Sequence, residues 1–371
     1  MLPRPAPEVT GPVRSHCYVR SMSSFRLSVL DQSPVPEGLT GADALQNTLD
    51  LARMTEALGY HRYWVAEHHG GASLAGASPE VLIAAIGAAT STMRVGSGGV
   101  MLPHYSPLKV AETFSILSGL YGDRIDLGLG RAAGTDPMTT HALQRDRRTA
   151  PPDDFPEQLA ELLAYLEDRF PPDHPFARLA QLPGGPVRPD PWLLGSSPQS
   201  ALWAAELGLP YAFADFINPD GTGIADSYLR GFMDSGRRVS PELAVAAWVI
   251  AADTDEEARL LATSSRMTFK LLRRGRLIPV PPVDKAVRFL ASEGETVDAP
   301  PSGRRAIVGS QATVKAGLEE LVAQYGAGEA IVVTITHDHA ARRRSYELIA
   351  EAFGLDAPAG VTGARAGAAA A

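Results

Sequence analysis

The chain has 371 residues, of which 45% are hydrophobic and 20% charged, and it carries a net charge of −8. That balance belongs to a globular protein; it argues against nucleic-acid binding, and no apolar run reaches the roughly 18 residues of a membrane span. The sole cysteine, Cys17, rules out an intramolecular disulfide and fits a reducing cytoplasm.

Residues 1–24 contain arginines and prolines but no apolar core of a secretory signal. They read as a disordered extension, with Met22 a possible alternative start. A strand is expected over 26–30, then a helix over 42–58 with Leu45, Leu49, Ala52 and Leu58 at helical spacing and a stop at Gly59. The next strand, Tyr63-Trp64-Val65-Ala66, runs into Glu67-His68-His69-Gly70. Pro79 opens a helix to 90, a strand covers 94–102, Pro107 opens a helix to 120, and a strand covers 124–129. A polar segment at 132–156 interrupts the rhythm before a helix over 157–169 and a Pro/Gly-rich stretch at 171–189. Strands at 192–195, 211–214 and 243–252 then alternate with helices at 198–207 and 222–234 and from Thr254 to the basic turn at 273–276. A proline-rich insertion at 275–306 precedes a helix capped by Ser310, a strand at 330–335 and a helix at 340–353. The Ala/Gly-rich tail from 357 to 371 reads as disordered. Residues 25–356 thus form one domain of eight strand–helix units. Such units close into a (β/α)8 TIM barrel with two insertions, its active site at the C-terminal strand ends; an open doubly wound sheet is the rival.

Those strand ends carry the chemistry. Glu67 and His68 form a polar pair at the expected barrel mouth, where a histidine can exchange protons near neutral pH. Adjacent strand residues face opposite sides, so Glu67-His68-His69 is a poor metal site, and in His337-Asp338-His339 the aspartate reads as a helix cap. In Ser97-Gly98-Gly99, paired glycines weaken a strand unless something must come close. Either a flat ring lies against this backbone or the strand bulges. Gly128-Leu129-Gly130-Arg131-Ala132-Ala133 matches a dinucleotide fingerprint, but it ends the fourth strand rather than opening the fold. Its better reading is close backbone approach, with Arg131 supplying charge for a phosphate. Gly195-Ser196-Ser197-Pro198-Gln199-Ser200 ends a strand and opens a helix, which is either ordinary capping or an anion site built on Ser196, Ser197 and Ser200.

In order and spacing, these stretches resemble the bacterial luciferase-like monooxygenase family over residues 25–355. The matching residues are Trp64 to His69; Val95 to Pro103 with Ser106-Pro107 and Ala111-Glu112; Arg124 to Arg131; and Gly195-Ser196-Ser197 with Ser200-Ala201, Ala204-Ala205 and Leu207 to Pro210. The resemblance implies a (β/α)8 flavin-dependent enzyme, closest to the branch found in secondary metabolism. It implies that His68, with Glu67, handles protons beside the flavin. It implies that Ser97, Gly98 and Gly99 underlie the ring, with a non-prolyl cis peptide at Gly98-Gly99, and that Arg131, Ser196, Ser197 and Ser200 hold the phosphate. Gly130 stands where light-emitting members carry cysteine, which argues against luciferase activity itself. The implied reaction is FMN-dependent monooxygenation. A separate NAD(P)H:flavin reductase supplies reduced FMN, O2 adds to the flavin as a peroxide, and an organic substrate is oxidised. A homodimer packed through residues 84–89 is implied as well. The deazaflavin F420 on the same scaffold and a non-catalytic flavin-binding protein are the alternatives.

Overall fold

Eight parallel strands close on themselves in the computed structural model, which describes residues 25–71, 73–131, 136–144, 147–148, 153–179, 181–299 and 305–358. They are β1 (Arg26–Asp31), β2 (Arg62–Val65), β3 (Arg94–Met101), β4 (Ile125–Gly130), β5 (Asp190–Gly195), β6 (Tyr211–Ala214), β7 (Leu243–Ala251) and β9 (Glu329–Val333). Neighbours pair in sequence order to β7, β7 pairs with β9, and β9 returns to β1 through Arg26↔Glu329 to Val29↔Val332. The closed barrel is therefore the observed fold, and the open sheet is not. The expected disordered segment at 1–24, and all of the expected tail at 357–371 beyond 358, lie outside the described residues.

The helices α1 (Gly41–Ala57), α2 (Pro79–Ala89), α3 (Pro107–Tyr121), α5 (Phe155–Glu167), α6 (Pro198–Glu206), α7 (Thr222–Gly231), α8 (Asp255–Leu272), α10 (Gln311–Tyr325) and α11 (His339–Phe353) match the expected units. Their starts follow local chemistry. Thr40 and Asp43 make a reciprocal capping box on α1, and Thr254 and Asp338 accept from backbone N–H groups at the starts of α8 and α11. Asp338 is thus the cap its sequence suggested.

Two expectations need correction. The 132–156 segment contains α4 (Pro137–Leu143), started by Asp136, whose side chain accepts from Met138 and Thr139 N–H. The Asp-Pro pair there starts a helix, with proline at the first helical position. The insertion at 275–306 is not wholly irregular: it holds α9 (Val283–Ser292) and runs into a ninth strand, β8 (Ala306–Gly309), paired outside the barrel with the C-terminal half of β7. Both elements are short, and the prolines around them masked their periodicity.

Alternate strand residues face the barrel axis and form three tiers. At the N-terminal end lies a floor of charges: Arg26, Arg62 and Arg94 with Asp126, Asp190 and Glu329 from the strands, joined by Arg238 and Glu242 from the segment before β7. Arg62, fully buried, donates to Glu329 at 2.7 and 3.1 Å and to Asp126 at 2.8 Å, while Arg94 reaches Asp126 and Arg238 meets Asp190 and Glu242. Four positive and four negative groups balance, which buried charge requires. Above them Trp64 and Trp192 meet edge to face at 5.3 Å, and Trp192 also stacks on Arg62. The third tier, towards the mouth, is apolar: Leu30, Ala66, Leu194, Ala214, Phe216, Ala246 and Val333. Among the described residues no helix is long and apolar enough to cross a membrane.

Candidate active site

The floor closes one end of the barrel, so the open chemistry lies at the C-terminal strand ends. The tip of β2 is held there by backbone bonds. Ala66 N–H donates to Asp31 O at 2.9 Å and His68 N–H to Gly76 O at 2.8 Å. Segments 33–37 and 73–75 pair across the top of β1 and β2, joined by Val280 from the insertion. Ser33 enters this roof at φ 49, fixed by Asp31, which accepts its N–H at 2.7 Å.

The expected Glu67–His68 pair does not form. Neighbouring residues of an extended tip point apart, and Glu67 turns away from the mouth. It is fully buried and accepts from His69 Nε2 at 2.7 Å, from Met101 N–H at 2.9 Å and from Tyr105 OH at 3.0 Å. An ionised carboxylate only accepts, so its contact fixes the proton on His69 Nε2. Burial, followed by the Glu67 charge, pushes the Tyr105 phenol well above its ordinary range. Glu67 therefore ties the tip of β2 to the tip of β3. Tyr105 was missed in the sequence because its bond to Glu67 joins residues 38 apart, and His69, two residues on, because spacing alone does not show that it turns back to the carboxylate.

His68 instead points inward. Its Nδ1 is enclosed and has no hydrogen-bond partner among the described residues. Burial, with His69 nearby, lowers its pKa to about 4. The imidazole is therefore neutral near pH 7, contrary to the expected exchange of protons at that pH. Buried polar atoms are nearly always paired, so an enclosed ring nitrogen in an otherwise apolar mouth marks a place for a ligand.

On the adjacent strand β3, the Gly98-Gly99 peptide is cis. The register between β3 and β4 also shifts between Gly98 and Val100, so the bulge and the cis peptide occur together. A Cβ on Gly98 would stand 2.5 Å from Leu30 Cδ1 and 3.1 Å from Trp64 Cβ, and one on Gly99 would stand 2.8 Å from Gly128 O. Side chains are thus excluded from both positions by their neighbours. Ser97 is fully buried, and its hydroxyl donates to Gly128 O at 2.9 Å, in the β3–β4 seam rather than toward the mouth.

Of the residues expected to hold a phosphate, Arg131 packs on the same helix, α6, whose start carries the serines. Arg131, half-exposed at the end of β4, lies 5.7 Å above the Trp203 ring of α6 and pairs with Asp153 at 2.7 and 2.9 Å. Ser197, exposed, caps α6, and its Oγ accepts from Ser200 N–H at 3.4 Å. Ser200 is buried, and its hydroxyl donates to Ser197 O and meets Tyr211 OH, each at 2.8 Å. Its side chain is thus committed to the turn, and what it offers an anion is its position in the first turn of α6. Ser196 gives its carbonyl to the Asn218 amide at 3.0 Å, a contact sequence spacing could not reveal. Among the described residues no group of three or more His, Cys, Asp or Glu side chains could hold a metal ion.

Comparison with known proteins gives the family and the fold. The family model for luciferase-like monooxygenases matches residues 23–329. A luciferase-like monooxygenase of Escherichia coli K12 is 42% identical over 326 residues, covering 88% of this chain and 96% of the relative. The N-acetyl-S-alkylcysteine monooxygenase of Bacillus subtilis is 39% identical over 331 residues, covering 88% and 98%. The crystal structure of apo-MsnO8, 42% identical, superposes with a TM-score of 0.81 over 90% of this chain and 99% of that one. At the level of fold alone, two further structures are similar. One is the FMN-bound oxygenating constituent of 3,6-diketocamphane monooxygenase from Pseudomonas putida, at TM-score 0.67 and 20% identity over 89% of this chain and 98% of that one. The other is an F420-dependent secondary alcohol dehydrogenase, at 0.61 and 16% over 89% and 99%.

Proposed function

Because the chain belongs to the luciferase-like monooxygenase family and is a flavin-dependent monooxygenase, we propose that its flavin is FMN. It would be used as reduced FMN delivered by a separate NAD(P)H:flavin reductase in the cytoplasm. The observation that carries this reading is the enclosed, unpartnered His68 Nδ1 at the tip of β2, with the side-chain-free Gly98-Gly99 backbone on the adjacent strand β3. A flat heteroaromatic ring fits that combination: the glycines let it approach the backbone, and the imidazole gives it or its substrate one hydrogen bond. Arg131, the Ser196-Ser197 turn and the start of α6 would hold the phosphate. Bound reduced flavin supplies the electrons with which O2 is reduced while a small organic substrate is oxidised. The protein's part is to position and to exclude water. Among the described residues, Leu30, Ala66, Ala214, Phe216 and Ala246 give the mouth an apolar wall. His68 acts as the hydrogen-bonding catalytic group. Glu67, through His69 and Met101, positions the tips that bear His68 and the glycines.

The apolar mouth suits an alkyl group, and the 39% relative makes N-acetyl-S-alkylcysteines the first substrates to try. A homodimer is proposed through α2 and α3, where Val81, Ala85, Ala88, Ile116 and Leu120 are exposed. The test of cofactor is a titration with FMN, reduced FMN, riboflavin and deazaflavin. Arg131 is half-exposed and shares its guanidinium with Asp153, so Arg131→Ala should weaken FMN by about 1.5 kcal/mol, the low end for a charge-assisted bond. Riboflavin should be indifferent. Equal losses for both would make Arg131 structural, and preference for deazaflavin would replace FMN with F420.

A further inference from the structure

The turn that follows β6 reaches across to the end of β5. Ile217 and Asn218 N–H both donate to Ala214 O, at 3.0 and 3.2 Å, and Phe216 N–H donates to Ala246 O at 3.3 Å. The turn is also pinned from outside the barrel. Asp215, fully buried, accepts from Tyr325 OH at 2.8 Å with Arg305 Nε at 3.6 Å, and Arg305 donates to Pro219 O at 3.0 Å. Held on both flanks, the turn projects the Asn218 side chain. Its Oδ1 accepts from Asp220 N–H at 3.2 Å, which leaves Nδ2 as the donor to Ser196 O at 3.0 Å. The amide orientation is thus set by its own two partners.

A trans peptide is planar, with its C=O and the following N–H pointing in opposite directions. Fixing the Ser196 carbonyl toward Asn218 therefore fixes the direction of the Ser197 N–H. That N–H stands beside the Ser197 hydroxyl and the first turn of α6. Pro198 contributes no N–H there, so each remaining donor weighs more. A free turn would have to be ordered when an anion binds, and the ordering would lower affinity.

We propose that Asn218 is a positioning residue for the phosphate end of the cofactor site. Its Nδ2 holds the Ser196-Ser197 peptide, and with it the donors at the start of α6, in the orientation that receives a phosphate ester. The assignment rests on the reading of that turn as the FMN phosphate site. Asn218 does not touch the phosphate; it acts through the carbonyl of Ser196. Because Phe216 lies two residues earlier on the mouth wall, one turn also links the phosphate end to the apolar end of the site.

The experiment is calorimetric titration of the full chain and of Asn218→Ala and Asn218→Asp with FMN and with riboflavin. Losing one neutral hydrogen bond corresponds to about two- to tenfold. Asn218→Ala should weaken FMN by about five- to tenfold and riboflavin by less than about twofold, so the FMN-to-riboflavin ratio falls. Asn218→Asp keeps the shape of the side chain, so it guards against a variant that fails to fold. It cannot donate and faces the Ser196 carbonyl with a negative charge, so it should lower the ratio further. A ratio unchanged in both variants overturns the assignment, whether the affinities stay put or fall together. A wild-type protein that binds riboflavin as tightly as FMN refutes the phosphate reading itself, which separates the two failures.

Discussion

The lowered pKa of His68 can be measured without knowing the substrate. An unfolded chain binds a proton to this imidazole near pH 6.5, whereas the folded protein does so only near pH 4. Between those values the unfolded state holds more protons, so stability attributable to His68 is complete above about pH 6.5 and declines as the pH falls through that window. At pH 5 the unfolded imidazole is almost fully protonated and the folded one about a tenth protonated. The ratio of the two binding terms corresponds to about 2 kcal/mol of lost stability. Solvent screening at the partly exposed edge of the ring brings this toward about 1 kcal/mol. His61 is also lowered to about 4, mainly by burial, so the raw pH profile mixes both histidines. A His68→Leu variant isolates one. Urea unfolding at pH 7 and pH 5 should show the variant losing about 1–2 kcal/mol less than the wild type on acidification. If both proteins lose the same amount, the imidazole is not enclosed and neutral, and the ligand-seeking Nδ1 at the centre of the site is unsupported.

The parts of the molecule that were legible in the sequence share a property: each depends on residues close together in the chain. The strand-to-tip stretches at Trp64 to His69 and Leu127 to Arg131, and the helix starts at Pro79, Pro107 and Thr254, are local patterns, and they suffice to order eight units into a barrel. The resemblance placed Gly98-Gly99 and its cis bond for the same reason. What stayed hidden is non-local. The floor joins Arg62 to Glu329 across 267 positions and to Asp126 across 64, and no spacing signals that these charges share one plane of the barrel. Glu67 next to His68 suggested a pair because they are neighbours in the chain. Alternation separates them, and the carboxylate belongs to His69, Met101 and Tyr105 instead. Ser97 and Ser200 were assigned by position along their motifs, but their hydroxyls are spent on Gly128, Ser197 and Tyr211. A motif locates the backbone of a site more surely than it says which way each side chain turns.

Arg62→Met removes the central cation of the floor and leaves Glu329 and Asp126 with Arg26 and Arg94. The expected cost is about 3 kcal/mol, read as a lower urea midpoint, with FMN affinity unchanged; a neutral result would mean the neighbouring arginines fully compensate. Leu120→Glu on the exposed face of α3 should convert the proposed homodimer to a monomer of about 39 kDa by light scattering, and a dimer that survives places the interface elsewhere. The last test joins site to chemistry. If His68 supplies a hydrogen bond in the mouth, His68→Ala should lower the product formed per reduced flavin by about 10²-fold, the low end for losing one positioned hydrogen-bonding group. Hydrogen peroxide released to solvent should rise by the amount of product lost, since the same electrons still reach O2. FMN binding should barely change, because the proposed phosphate residues, Arg131 and the start of α6, lie on β4 and beyond rather than at the tip of β2. The wild-type yield should also show no ionisation from this residue between pH 6 and 8, since its pKa is about 4. A yield that stays full in the variant would leave His68 as a space-filling residue. A yield that rises through a pKa near 6.5 in the wild type, and loses that step in His68→Ala, would return to it the proton exchange that its burial argues against.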